Sequence, residues 1–226
     1  RDSAVSVGVP MWSPAGDWIA FLVAHESRSA LWLIRPDGSG LHELAHTGWG
    51  PCWESDGRHL LYTTGEDGPA RLERIAVDGG APVVVRTDAS TPAVAPNTTT
   101  VYYVHGLRPE LLGLLGDLEI RCGRLGDGPS HPIGRIAASR VPVSVRLLQL
   151  FLSPDGQWLA VPLIDGATCN VWALPTAGGP MKPLIDFGDR CNVIARSVSW
   201  SADGHSLFAA VAETETDIVL LDGLIR

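Results

Sequence analysis

The chain has 226 residues, 45% of them hydrophobic and 19% charged, with a formal net charge of −8. That balance describes a folded chain with ample material for a core and excludes a disordered one. The acidic surplus argues against non-specific binding to a nucleic-acid backbone, and no apolar run approaches the roughly 20 residues that cross a bilayer as a helix.

One turn motif recurs along the chain. It opens as Trp12-Ser13-Pro14-Ala15-Gly16 followed by Ile19-Ala20-Phe21, and returns as Trp53-Glu54-Ser55-Asp56-Gly57 before Leu60-Leu61-Tyr62. The third copy, Val94-Ala95-Pro96-Asn97-Thr98 before Val101-Tyr102-Tyr103, is degraded, having lost both the Trp and the Gly. The fourth and fifth are Leu152-Ser153-Pro154-Asp155-Gly156 and Trp200-Ser201-Ala202-Asp203-Gly204. The anchors at 12, 53, 94, 152 and 200 are 41, 41, 58 and 48 residues apart. Such a period belongs to a four-stranded propeller blade.

Within each unit a second landmark follows. Asp37-Gly38, Asp78-Gly79 and Ala177-Gly178 each begin 25 residues after their anchor. Asp-Gly and its relatives favour the positive φ of tight hairpins, and the flanking Val, Ile, Leu and Trp favour strands. The first unit is therefore predicted as strands at 7–12, 18–23, 30–35 and 41–46, here called a to d, with strand a innermost. The a–b and c–d turns then share one face, and the b–c and d–a connections share the other. The predicted fold is an all-β propeller of antiparallel four-stranded blades, one domain over 1–226, with blades near 7–46, 47–88, 89–140, 141–187 and 193–226. The third unit carries extra residues around 107–116 and again before the fourth anchor, and the fourth carries them between 178 and 199. These fall in b–c and d–a connections, so the face bearing them is the expected binding face.

The motifs Trp12-Ser13-Pro14, Leu31-Trp32 with Asp37-Gly38, Ser153-Pro154-Asp155-Gly156 and Trp200-Ser201 with Asp203-Gly204 resemble those of the TolB-like, or WD40-like PD40, family of bacterial β-propellers. The resemblance covers residues 7–223. It implies fold more strongly than any one biological system, and the separate α/β domain that precedes the propeller in TolB has no counterpart here.

Several motifs invite chemistry. His42-Glu43-Leu44-Ala45-His46 matches the H-E-x-x-H zinc signature, which requires a helix. It follows the turn at 37–40 and fills the place of the β-forming Pro82-Val83-Val84-Val85-Arg86-Thr87 in the next unit. On a strand its imidazoles stand about 13 Å apart, too far to share one tetrahedral ion. Asp155 and Asp203 read as turn formers. No nucleophile elbow or phosphate-binding glycine loop is present, lysine occurs only at Lys182, and no catalytic residue, metal or cofactor is expected. Cys52, Cys122, Cys169 and Cys191 show no metal-ligand spacing; they read as four free thiols, with a Cys169–Cys191 disulfide as the alternative.

The candidate binding residues are arginines and one tryptophan. No acidic residue lies between Asp127 and Asp155, whereas Arg135, Arg140 and Arg146 do. Arg140, Arg146, Arg190 and Arg196 fall near the fourth and fifth inner strands, where they would give the channel a positive mouth suited to carboxylates or an acidic peptide. Arg108, in the third unit's insert, joins them. The competing reading makes them solvated loop residues or partners of Asp186, Asp189 and Glu213. Of the eight tryptophans, Trp12, Trp53, Trp200, Trp32 and Trp172 recur at equivalent positions and read as blade packing. Trp49 stands outside the series, in a predicted d–a connection, as a candidate contact on the channel rim.

The fifth unit is predicted to hold strands near 198–200, 206–211 and 217–221, without an outermost strand. Two architectures follow: a five-bladed ring with one three-stranded blade, or part of a six-bladed or larger propeller, toward which the start at Arg1 leans. The incomplete blade offers an edge for self-association. The functional expectation is a non-enzymatic protein- or peptide-binding scaffold, the C-terminal module of a longer bacterial protein. The alternative is the gating propeller of a peptidase, or a lyase-like carbohydrate-active propeller using channel His and Arg residues.

Overall fold

The computed structural model of the chain describes residues 5–25, 28–65, 68–96, 99–107, 116–126, 128–142 and 148–213, without the side chains of residues 5 and 195–197. It consists of five antiparallel sheets. The first is built from β1 (Val5–Trp12), β2 (Ile19–His25), β3 (Arg28–Ile34) and β4 (His42–Ala45). The second holds β5 (Trp49–Trp53), β6 (His59–Thr64), β7 (Arg71–Ala76) and β8 (Val83–Thr87). The third holds β9 (Ala89–Val94), β10 (Thr100–His105), β11 (Leu118–Arg124) and β12 (Ser130–Ile136), and the fourth β13 (Phe151–Leu152), β14 (Trp158–Asp165), β15 (Thr168–Pro175) and β16 (Lys182–Ile185). In the fifth, β17 (Asn192–Trp200) pairs with β18 (Leu207–Glu213); the strand predicted at 217–221 lies outside the described residues. Each sheet runs in chain order from its first strand outward. The first strands β1, β5, β9, β13 and β17 neighbour one another in a closed ring, β17 meeting β1. The chain is a five-bladed β-propeller.

The recurrent turns hold the hairpins through one reused device. Ser13 Oγ accepts the Trp18 N–H at 3.1 Å, Ser153 Oγ that of Trp158 at 2.9 Å, and Ser201 Oγ that of Ser206 at 2.9 Å. The Ser153 and Ser201 hydroxyls in turn donate to Asp155 and Asp203, each at 2.5 Å. Both carboxylates also accept an N–H two residues on, and these hydrogen bonds hold their pKa values below the usual carboxylate range. The aspartates are thus turn formers. Gly16, Gly57, Gly156 and Gly204 close the turns at φ of 74°, 64°, 71° and 72°, which a glycine adopts without strain. In the second blade Glu54 replaces the serine and receives Arg74 instead, through Nε at 2.6 Å and Nη2 at 3.0 Å.

Apolar clusters fill the first four seams. Ala20, Leu31 and Leu33 of blade 1 meet Trp53, Leu60, Tyr62 and Ile75 of blade 2, and Leu61 and Leu72 of blade 2 meet Val101 and Tyr103 of blade 3. The largest cluster joins blades 3 and 4, and a smaller one joins blades 4 and 5. An anchor tryptophan latches two of these seams: Trp53 Nε1 donates to Met11 O at 3.1 Å, and Trp200 Nε1 to Phe151 O at 3.0 Å.

The seam between blades 5 and 1 is different. Trp12, expected to pack like Trp53, is 60% exposed, and Phe208 is 64% exposed. Phe208 follows its anchor by eight residues, as Ala20 does, and Ala20 is where blade 1 receives Trp53. Equivalent sequence thus yields different burial: among the described residues, no apolar cluster fills this last seam as one fills the other four.

Candidate functional site

A cavity of about 490 Å³ occupies the centre of the ring. All five inner strands or their immediate flanks line it: Val9–Trp12, Gly50–Trp53, Thr91–Val94, Gln149–Leu152 and Val198–Trp200. Pro96, Ser153 and Pro154 complete the rim, which places the opening among the a–b turns, on the face opposite the insert-bearing connections.

The walls are built by a repeated bulge. Val9, Gly50 and Thr91 stand at φ of 54°, 55° and 48°, each followed by a proline, Pro10, Pro51 or Pro92. The ladder to the next strand shifts register across the first two, between Gly8 and Met11 and between Trp49 and Cys52; the third lies opposite the shift between Tyr102 and Val104. Left-handed backbone is free for Gly50 but costs about 1–3 kcal/mol for a β-branched residue. Thr91 is held there partly by its N–H, which donates to the buried Thr63 Oγ1 at 2.9 Å. The prolines bring no N–H into the wall.

Chemically the lining is apolar with a few neutral polar groups. Cys52, Thr91, Gln149, Ser153 and Ser199 supply them, and among the described residues no charged side chain lines the cavity. Burial pushes the Cys52 thiol up to about 11, only partly opposed by a backbone hydrogen bond, so it is a protonated wall group and not a thiolate.

Among the described residues, the sequence-predicted binding residues Trp49, Arg140 and Arg190 do not line this cavity. Trp49 is a correction: it begins β5 instead of lying in a connection, and at 2% exposure it is core, not rim. Its neighbour Gly48 leaves it no slack, since a Cβ there would sit 2.5 Å from the Tyr62 ring. Arg140 ends a 3-10 turn at Ala138–Arg140, in the connection from blade 3 to blade 4. There its guanidinium lies 4.2 Å from the centre of the Trp172 ring, and its Nε and Nη2 donate to Asp165 Oδ1 at 3.0 and 2.7 Å. Asp165 Oδ2 accepts from Trp172 Nε1 at 2.8 Å and Asn170 Nδ2 at 3.2 Å. Arg190 is exposed and reaches Glu213 at 3.4 Å, the partner named in the competing reading. Arg108 and Arg146 lie outside the described residues, as does the side chain of Arg196, which sits on β17.

The Asp165 cluster carries a pH prediction. Burial raises its pKa, but the hydrogen bonds from Trp172 and Asn170 and the charge of Arg140 outweigh that and leave it below the usual carboxylate value. A depressed carboxylate contributes stability above its unfolded pKa of about 3.9 and loses it as pH falls through the folded value. Urea unfolding of wild type against Asp165→Asn is expected to show the full wild-type advantage at neutral pH and a shrinking one below about pH 4. An advantage independent of pH would contradict this assignment.

Metal chemistry finds little support in these side chains. His42 and Glu43 are on strand β4, His42 Nδ1 bonds Gly40 O at 2.7 Å, and His46 pairs with Glu43. Glu54, Asp56 and His59 do converge, with ligand atoms within 4.8 Å of one another. Glu54 is already committed to Arg74, and His59 to Asp56 at 2.7 Å. No disulfide joins the four cysteines; Cys169 is buried and Cys191 exposed.

The sequence matches no protein-family model and no curated protein. Solved structures do resemble it. A protein assigned as TolB from Agrobacterium tumefaciens superposes with a TM-score of 0.62 at 16% identity, covering 93% of this chain and 91% of that one. A gluconolactonase from Xanthomonas campestris gives 0.63 at 14% identity over 92% and 70%, and a chain of a nidogen/laminin complex gives 0.62 at 13% over 90% and 71%. What they share with this chain is the propeller fold. At such identities none of the three transfers a function.

Proposed function

We propose that this chain is a non-enzymatic binding propeller of the TolB-like, PD40 type, which seats an uncharged, apolar segment of a protein partner in its central cavity. The observation that carries the reading is the cavity's lining. Five strands converge on an apolar space with a handful of neutral hydrogen-bonding groups, the usual make-up of a recognition pocket. Acid–base or metal-assisted catalysis needs convergent titratable groups with matched pKa values. The groups that meet here are a protonated thiol, hydroxyls and an amide. The recurrent Ser-Pro-Asp-Gly turns support the family assignment, and the TolB and nidogen/laminin structures support protein binding as a use of this fold.

Panning a displayed peptide library on the protein tests the proposal. Wild type is expected to enrich apolar, uncharged segments, and Ser199→Arg, which puts a charge on an exposed lining residue, is expected to abolish that enrichment. Val83→Arg, at an exposed site on the outer strand β8, is the control and should behave as wild type. Enrichment of acidic peptides, or recovery indifferent to Ser199→Arg, would defeat the reading.

A further inference from the structure

Two neutral polar side chains in the cavity wall are left without work inside the protein. Thr91 is 2% exposed, and its Oγ1 has no hydrogen-bond partner. Gln149 is 8% exposed, and among the described residues its side-chain amide makes no hydrogen bond. Both line the central cavity, on the inner edges of the adjacent blades 3 and 4.

Thr91 is costly on two counts. Its backbone is left-handed at φ 48°, which a threonine adopts only under constraint, and its hydroxyl is buried and unsatisfied. The repeat shows cheaper solutions at the same place: Gly50 takes φ 55° without strain, and Val9 takes φ 54° without a hydroxyl. A group that penalises the empty protein in both ways is explained if a guest satisfies it. One staggered step about χ1 carries a threonine hydroxyl to the place its methyl held, the methyl moving to that of the Cβ hydrogen, so the hydroxyl can be turned to a guest that reaches the wall.

The chemistry of the pair selects the guest. A hydroxyl offers one donor and two acceptor sites, and a glutamine amide offers both donors and an acceptor. Together they complement a peptide group, which carries one N–H and one C=O. A carboxylate or ammonium would enter an apolar space with no opposite charge among the described lining residues, at a large desolvation cost. The prolines Pro10, Pro51 and Pro92 withhold three backbone N–H groups from the same walls, so the wall itself does not compete for the guest's carbonyl.

We infer that Thr91 and Gln149 are the specificity pair of the cavity, hydrogen-bonding the main-chain amide of the apolar segment seated there; this rests on the cavity being the binding site. The segment enters apolar flank first against Met11, Leu150 and Phe151 and presents a peptide group to the pair.

The test uses N-acetyl-leucine amide and a hydrocarbon of matching size, isobutylcyclohexane, titrated by NMR against the full chain. Wild type is expected to bind both weakly, with the amide favoured. Thr91→Val, isosteric but without the hydroxyl, is expected to weaken the amide about 5- to 10-fold and leave the hydrocarbon unchanged. The same variant is expected to raise Tm by about 2–4 °C, because it removes an unsatisfied buried hydroxyl. Gln149→Met should weaken the amide similarly. If neither probe binds wild type, the cavity itself is not the site and the proposed function falls with it. Equal affinity for both probes, or amide binding by Thr91→Val as tight as by wild type, would overturn the amide pair alone. A lower Tm for Thr91→Val would do the same, by showing the hydroxyl already satisfied.

Discussion

Replacing Trp53 with alanine is expected to cost about 3–5 kcal/mol of folding stability, and the same replacement at Trp12 no more than about 0.5 kcal/mol. The two residues open nearly the same motif, so sequence alone predicts equal effects. Trp53 is 8% exposed, packs among Ala20, Leu33, Leu60 and Ile75, and donates its indole N–H to Met11 O. Truncation removes the largest side chain of that seam and strands a carbonyl of the neighbouring blade. Trp12 is already 60% exposed and joins no apolar cluster among the described residues. Urea denaturation of the two variants, read as midpoints at constant slope, measures the contrast. Equal losses would show that the last seam is as tightly packed as the first.

The second large effect is expected at Arg86. This residue is 6% exposed and, among the described residues, has no carboxylate partner. It projects from β8, the outermost strand of blade 2, and is held by blade 3. Nη1 donates to Tyr103 Oη at 3.3 Å and Gly128 O at 3.2 Å; Nη2 donates to Arg124 O at 2.9 Å and also to Gly126 O. The guanidinium carbon lies 5.0 Å from the centre of the Tyr103 ring, whose hydroxyl continues to Ser130 Oγ at 2.7 Å. A buried cation is thus solvated by three carbonyls and an aromatic face, a fork that a lysine cannot reproduce. Arg86→Leu is expected to destabilise by about 2–4 kcal/mol, lowering Tm by about 5–12 °C, with Arg86→Lys recovering less than half. A Tm within about 1 °C of wild type for Arg86→Leu would show that the carbonyls find other donors.

The fold was legible because its determinants are local and repeated. Each Ser or Asp at the anchor turn works through bonds spanning two to five residues, and such bonds survive in sequence as a spaced motif. Even the degraded third copy forms its blade, since the alternating apolar residues of β10 carry the core without the turn residues. The site was much less legible. Its walls depend on a left-handed residue before a proline, and Val9-Pro10 and Thr91-Pro92 look like ordinary strand sequence. A signal was nonetheless present: Pro10, Pro51 and Pro92 each precede an anchor by two residues, a regularity that strand pairing does not explain. At Arg140, arginine counting misled for a different reason. Charge along the chain says nothing about which cation is already matched, and Arg140 is matched by Asp165, 25 residues away and across a blade boundary. Trp49 misled although the first unit's strand a, at 7–12, falls on 48–53 when moved by the 41-residue period and so already contains it: lacking an equivalent tryptophan in the other units, it reads as standing in a connection, whereas the inner strand begins there.

The last seam gives the molecule an asymmetry that its repeat does not announce. Four joints are filled by interlocking side chains, two of them with an indole latch, while among the described residues the fifth is held chiefly at the axis, where β17 meets β1. Among the described residues this joint is the least filled of the five, although the inner strands still meet there. A load that widens the central opening is therefore expected to act on this joint before the four that are filled with apolar side chains.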